Sequence, residues 1–141
     1  MPHVYANIFT WSGAAISFLF GLVYLLKPSF LSYHSAATKK QWADVDPLMQ
    51  ILILALMRGV SGGALAAGFI ISVLQYQFNK LPQTWIPLTI LACGGILTCT
   101  SVYAMLLVRL KTPARPPVAA VLLSIILLGI GHYFNLAVLH G

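Results

Sequence analysis

Acid is almost missing from this sequence. Its 141 residues include two aspartates, Asp44 and Asp46, and no glutamate. Both lie ahead of the apolar run from Leu48 to Leu74, and no carboxylate falls inside any long apolar run. That absence argues against proton-coupled export of cations, which uses an intramembrane carboxylate. Charge of either sign is scarce, at 7% of residues. Soluble domains carry about 25%, so composition excludes an ordinary water-soluble fold. Cysteine is limited to Cys93 and Cys99. On one helix this spacing points them to different sides, so they cannot pair and read as small buried apolar side chains. No nucleophile with its base and no cluster of metal ligands can be assembled. The glycine-rich stretch RGVSGG follows no strand and sits in mid-helix, so it is no phosphate loop. These absences lean towards a non-enzyme and supply no metal site, with haem or quinone left as the cofactors still open.

What is abundant is apolar surface, with 60% hydrophobic residues and a mean hydropathy of +0.90. Four segments are long enough to cross a bilayer, near Val4–Leu26, Pro47–Gln75, Trp85–Leu110 and Val118–Leu139. Too little chain remains for a folded soluble domain. Residues 1–141 are therefore expected to form a single all-α domain, a polytopic up-down bundle of four transmembrane helices. The first segment has neither a basic leader nor a small-x-small cleavage site, so it reads as a retained helix rather than a signal peptide.

The net charge of +6 lies in the connections. Lys27, Lys39, Lys40, Arg109, Lys111 and Arg115 fall in the first and third loops, and Lys80 alone falls in the second. Such placement beside hydrophobic ends is a topology signal rather than a nucleic-acid surface. It puts loops one and three in the cytoplasm and both termini outside. Arg109, Lys111 and Arg115 are placed to meet anionic lipid head groups. In the first loop, PSFLSYH has the composition of a segment at head-group level, and Trp42 reads as an interfacial anchor. Asp46 followed by Pro47 is a helix start, which accounts for the acids structurally. The second loop is expected over Tyr76–Thr84.

Small residues recur every four positions. Gly13, Ser17 and Gly21 line one stripe of the first helix; Gly59, Gly63 and Ala67, with Ala64, Gly68 and Ser72 beside them, line the second. Such stripes let backbones approach, within the bundle or in a homo-oligomer or larger membrane complex.

Arg58 is the one charge inside the second apolar run. Counted from Pro47 at the cytoplasmic surface it is about 16 Å along the helix, near the middle of the bilayer and somewhat towards the cytoplasm. A guanidinium there costs roughly 2.5–3.5 kcal/mol on insertion scales, so it should face protein or water. Ser17, Tyr24, Thr98, Thr100, Ser101 and Ser124 fall at similar depth, and none is an anion. Hydroxyls, carbonyls, snorkelling, a lipid phosphate, a bound anion or a partner's acid are the ways to meet the charge. A second polar set comprises His132, Tyr133 and Asn135, with Asn7 and Trp11 and the terminal His3 and His140. It reads as a hydrogen-bonded interfacial cluster, as a quinone site, or as a haem ligand set if a second histidine approaches.

The stretch FLSYHSAATKKQWADVDPLMQILILALMRGVSGGALAAGF, with YAMLLVRLKTPARPP further on, resembles a group of small uncharacterised four-span bacterial inner-membrane proteins. Size, span count and a glycine-rich second helix are more loosely similar to DoxX-like proteins. The resemblance implies a bacterial inner-membrane location and no particular activity. Three functions are thus in view. One is a non-enzymatic accessory or scaffold subunit acting through helix packing. The second is an anion pathway built on Arg58, and the third a quinone- or lipid-binding redox subunit using His132.

Overall fold

Proline marks where the long helices begin. In the computed structural model, which describes residues 1–141, Pro2 opens α1 (Pro2–Leu26) and Pro47 opens α3 (Pro47–Lys80). Pro87 lies in the first turn of α4 (Trp85–Lys111), and Pro117 caps α5 (Val118–His140). The missing N–H of proline costs nothing in a first turn, where that donor has no helical acceptor. Asp46 completes the start of α3, its Oδ1 accepting the N–H groups of Leu48 at 3.0 Å and Met49 at 3.2 Å.

The chain is all-helical, and these four long helices are apolar enough to cross a membrane. Their outward side chains, among them Leu19, Phe69, Leu88, Ile96 and Ile126, are exposed and apolar, as a lipid-facing surface must be. Neighbours run in the order α1, α3, α4, α5 and back to α1, with α1 making the two largest interfaces. This is a multi-pass membrane bundle.

Two boundaries differ from expectation. α3 continues to Lys80 rather than stopping at Gln75, because nothing breaks the helix before Pro82 and the Lys80 ammonium lies 4.6 Å over the Tyr76 ring one turn back. The second connection is therefore only residues 81–84. The first loop also contains a short helix, α2 (Ser32–Thr38), and a single 3-10 turn at Trp42–Asp44. α2 ends where Lys39 takes the left-handed conformation, φ 55°.

The two ends of the bundle are built differently. Toward the termini, Ala14, Ile71, Phe78, Ile86, Ile90 and Leu128 form the main core. Fully buried Leu128 sits between Gly13 and Gly94, each of which would clash with it if given a Cβ. Toward the basic loops the core shrinks to Met105, Val118 and Val121, with Phe20 and Val102 against them. Gly68 lets α3 close on α1, since a Cβ there would stand 3.1 Å from the Ala14 carbonyl, and Gly21 lies against Leu65. Gly59 and Gly63 take no part in packing within the chain: a Cβ at either position meets nothing within 4 Å.

Candidate functional site

Arg58 is not at the middle of the span. It donates to the carbonyls of Tyr24, at 2.5 Å, and Lys27, at 3.1 Å, level with the last turn of α1. The depth expected from the sequence took Pro47 as the membrane boundary. In fact Pro47 lies about 16 Å beyond the level at which α1 ends, so the count started too far out. Helix ends leave carbonyls without N–H partners and carry partial negative charge, and a guanidinium answers both needs. Arg58 is thus the C-terminal cap of α1, supplied by its neighbour. Replacing it by leucine should raise amide exchange over residues 23–30, while lysine, with one compact donor group, should restore only part of the protection. Unchanged exchange in the leucine variant would remove this role.

The polar set toward the termini does not gather as a single cluster. Tyr133 is 68% exposed on the outside of α5, and His132 is half-buried beside it with its Nδ1 unpartnered. Asn135 turns inward and is fully buried. There it meets a residue the sequence reading passed over, Gln75 of α3. The two amides bond reciprocally: Asn135 Nδ2 donates to Gln75 Oε1 at 2.9 Å, and Gln75 Nε2 donates to Asn135 Oδ1 at 3.2 Å. Gln75 Nε2 also reaches Asn7 Oδ1 at 3.0 Å, which accepts from Asn79 Nδ2 at 2.8 Å. Three helices are pinned in register by four amides. Gln75 and Asn79 went unnoticed because the helix was ended at Gln75, which made them surface residues.

The hollow lies at the opposite end. Small or hydroxylated residues line the space there on every long helix: Ser17 on α1, Gly63 at the mouth on α3, Thr98 and Ser101 on α4, Ser124 on α5. Too little side-chain volume remains to fill the space, and two adjoining cavities result. The first, about 370 Å³, lies among α1, α4 and α5, with the exposed Leu19, Val23, Pro117 and Ala120 at its rim. The second, about 420 Å³, lies among α1, α3 and α4 over α2, with the exposed Val60, Gly63, Thr100 and Ala104 at its rim. Phe20, Tyr24, Leu97 and Ser101 belong to the walls of both. Each cavity falls within the roughly 300–1,000 Å³ of small-molecule sites, mostly apolar with a few placed polar groups.

Of the hydroxyls, Ser17 and Ser124 both donate to the Gly13 carbonyl, at 3.3 and 3.1 Å, and serve the helix contacts. Thr98 and Ser101 are not part of that bonding. On the α2 side, the hydroxyls of Tyr24 and Tyr33 are hydrogen bonded to each other. The His34 ring lies edge-on to Tyr33, with centroids 4.2 Å apart, and its Nδ1 accepts the Leu31 N–H at 3.4 Å. Burial holds the His34 imidazole below its ordinary range, and burial followed by the Tyr24 contact raises the Tyr33 phenol.

The shift of His34 has a signed consequence. As pH falls through about 6.5 the undocked segment takes up a proton that the docked imidazole resists. Docking of α2 is then at full strength above that pH and weakens below it, and the groups facing His34, Tyr24 and Tyr33, offer no charge in compensation. Amide protection over residues 32–38, taken relative to the intrinsic exchange rate at each pH, should fall on acidification, and His34→Gln should abolish the dependence. A flat profile in the native protein would contradict it.

No three or more His, Cys, Asp or Glu side chains come together as a metal site would need, and Cys93 and Cys99 are free thiols. The fold and the hollow define a multi-pass helical membrane protein with a laterally open internal site. No protein family, curated protein or solved structure matches the chain.

Proposed function

We propose that this is a non-enzymatic protein of the bacterial inner membrane that holds a membrane-borne lipophilic molecule in the hollow half of its bundle, as an accessory or carrier subunit. The observation that carries the reading is the pair of cavities with a common wall, rimmed by lipid-facing residues on two sides of the bundle. A ligand dissolved in the bilayer enters such a site without crossing water. Arg58 and His132 lie outside both walls, so the support moves from those residues to Tyr24, Tyr33, Ser101 and His34. Purification in mild detergent followed by native mass spectrometry tests this. A bound small molecule that is lost in Leu97→Trp supports the reading, and a protein that neither retains nor rebinds any lipophile contradicts it.

The six basic residues of loops one and three support an orientation with those loops in the cytoplasm and both termini outside. With Cys93 and Cys99 replaced by alanine, an impermeant thiol reagent added to intact cells should label Lys80→Cys and spare Lys39→Cys and Lys111→Cys. The opposite pattern would invert the protein.

Helix packing with a partner or a second copy is the alternative, favoured by the open space at Gly59, Gly62 and Gly63 on α3. If it holds, Gly62→Leu should change the oligomeric state in detergent and leave lipophile binding intact.

A further inference from the structure

Resting on that reading, we propose that the hollow takes a neutral amphiphile whose head carries carbonyl oxygen, with the head at Tyr24, Tyr33 and His34 and the apolar chain in the cavity between α1 and α5.

The walls decide the charge. Neither cavity is lined by an Asp, Glu, Lys or Arg side chain. A carboxylate, phosphate or ammonium head would leave water for a space with no opposite charge, a cost that a neutral head avoids. A plain hydrocarbon fits no better, because it would leave the polar groups of the α2-side cavity facing apolar atoms.

The same polar groups decide the head's chemistry, because what they have spare is donors. The Tyr24–Tyr33 bond uses one phenolic hydrogen and leaves the other free. The Nδ1 of His34 accepts the Leu31 N–H, so the proton of its neutral imidazole is on Nε2 and available. Ser101, in the shared wall, adds a hydroxyl. A head that accepts at one or two oxygens satisfies this set, and a carbonyl does so without a charge. The direction of the chain follows from the other cavity, where Ser17 and Ser124 are already committed to the Gly13 carbonyl and the remaining walls are chiefly apolar.

Two membrane sources share this chemistry, a long-chain quinone and the ester carbonyls of a diacylglycerol. The test uses the full chain in nanodiscs of zwitterionic lipid and four probes of matched chain length: a quinone, a diacylglycerol, a fatty acid at a pH where it is ionised, and an alkyltrimethylammonium. At least one neutral carbonyl probe should bind about tenfold or more tightly than either charged probe, and whichever of the two binds better identifies the source. Tyr24→Phe with Tyr33→Phe together, and Ser101→Ala alone, should each erode that preference while leaving the weak binding of the charged probes unchanged. Gly63→Leu, whose side chain enters open space at the mouth between α3 and α4, should block the head site in a protein that still folds. Equal binding of neutral and charged probes would overturn the head assignment and leave the lipophile site standing. Failure of every probe to bind would overturn both.

Discussion

Replacing Gln75 by leucine should destabilise the bundle more than replacing Gln75 and Asn135 by leucine together. The single change strands Asn135, fully buried, with both ends of its amide unpaired. A buried polar group left unsatisfied costs about 1–3 kcal/mol, whereas removing both partners together is close to neutral. The lower part of that range applies in a membrane, where separated helices find other partners for their amides. Unfolding in mixed micelles measures the difference, and the sign matters more than the size. If the double variant loses the sum of the two single losses, the amides are independent and the register argument fails.

Enlarging Gly131 should damage the bundle, and the same change at Gly63 should not. At Gly131 a Cβ would meet the Thr10 hydroxyl and stand 3.0 Å from its backbone nitrogen, which cannot rotate away. Leucine there must force α1 and α5 apart at their contact, and overpacking of this kind costs about 1–3 kcal/mol or more. At Gly63 the same side chain enters space with nothing within 4 Å, so stability should hold to within about 0.5 kcal/mol. Thermal unfolding of both variants in one detergent checks the contrast. Equal losses would mean that the close approach of Gly131 to Thr10 does not set the spacing of α1 and α5.

Much of this architecture was legible because a bilayer reduces the problem to counting. Four apolar runs, proline at their starts and Asp46 ahead of Pro47 were enough to place the helices. Depth was less legible. Arg58 was assigned to mid-bilayer by counting along its own helix, but depth is a relation between helices, and only the contact with Tyr24 and Lys27 sets it. The amide network was half visible: Asn7 and Asn135 stood out as polar residues in apolar runs, while Gln75 and Asn79 were hidden by ending α3 too early. Gly59 and Gly63 fit a packing pattern that is not used within the bundle. The hollow left the faintest trace, since a cavity is made by volume that is missing from several helices at one level. Its signal was present in Ser17, Gly63, Ser101 and Ser124, small residues that recur at the basic end of each span, and it needed the helix register to be read.

The most direct measurement is photo-crosslinking of a neutral diacylglycerol probe, with a diazirine in its chain, to the protein in native membranes, followed by peptide mapping. Labels should concentrate on Phe20, Leu97 and Val121, which line the hollow, and competition by unlabelled neutral lipid should remove them. Labels spread over the lipid-facing surface, on Leu19, Phe69 or Ile126, with no competition, both from this probe and from a long-chain quinone carrying the same diazirine, would contradict the account.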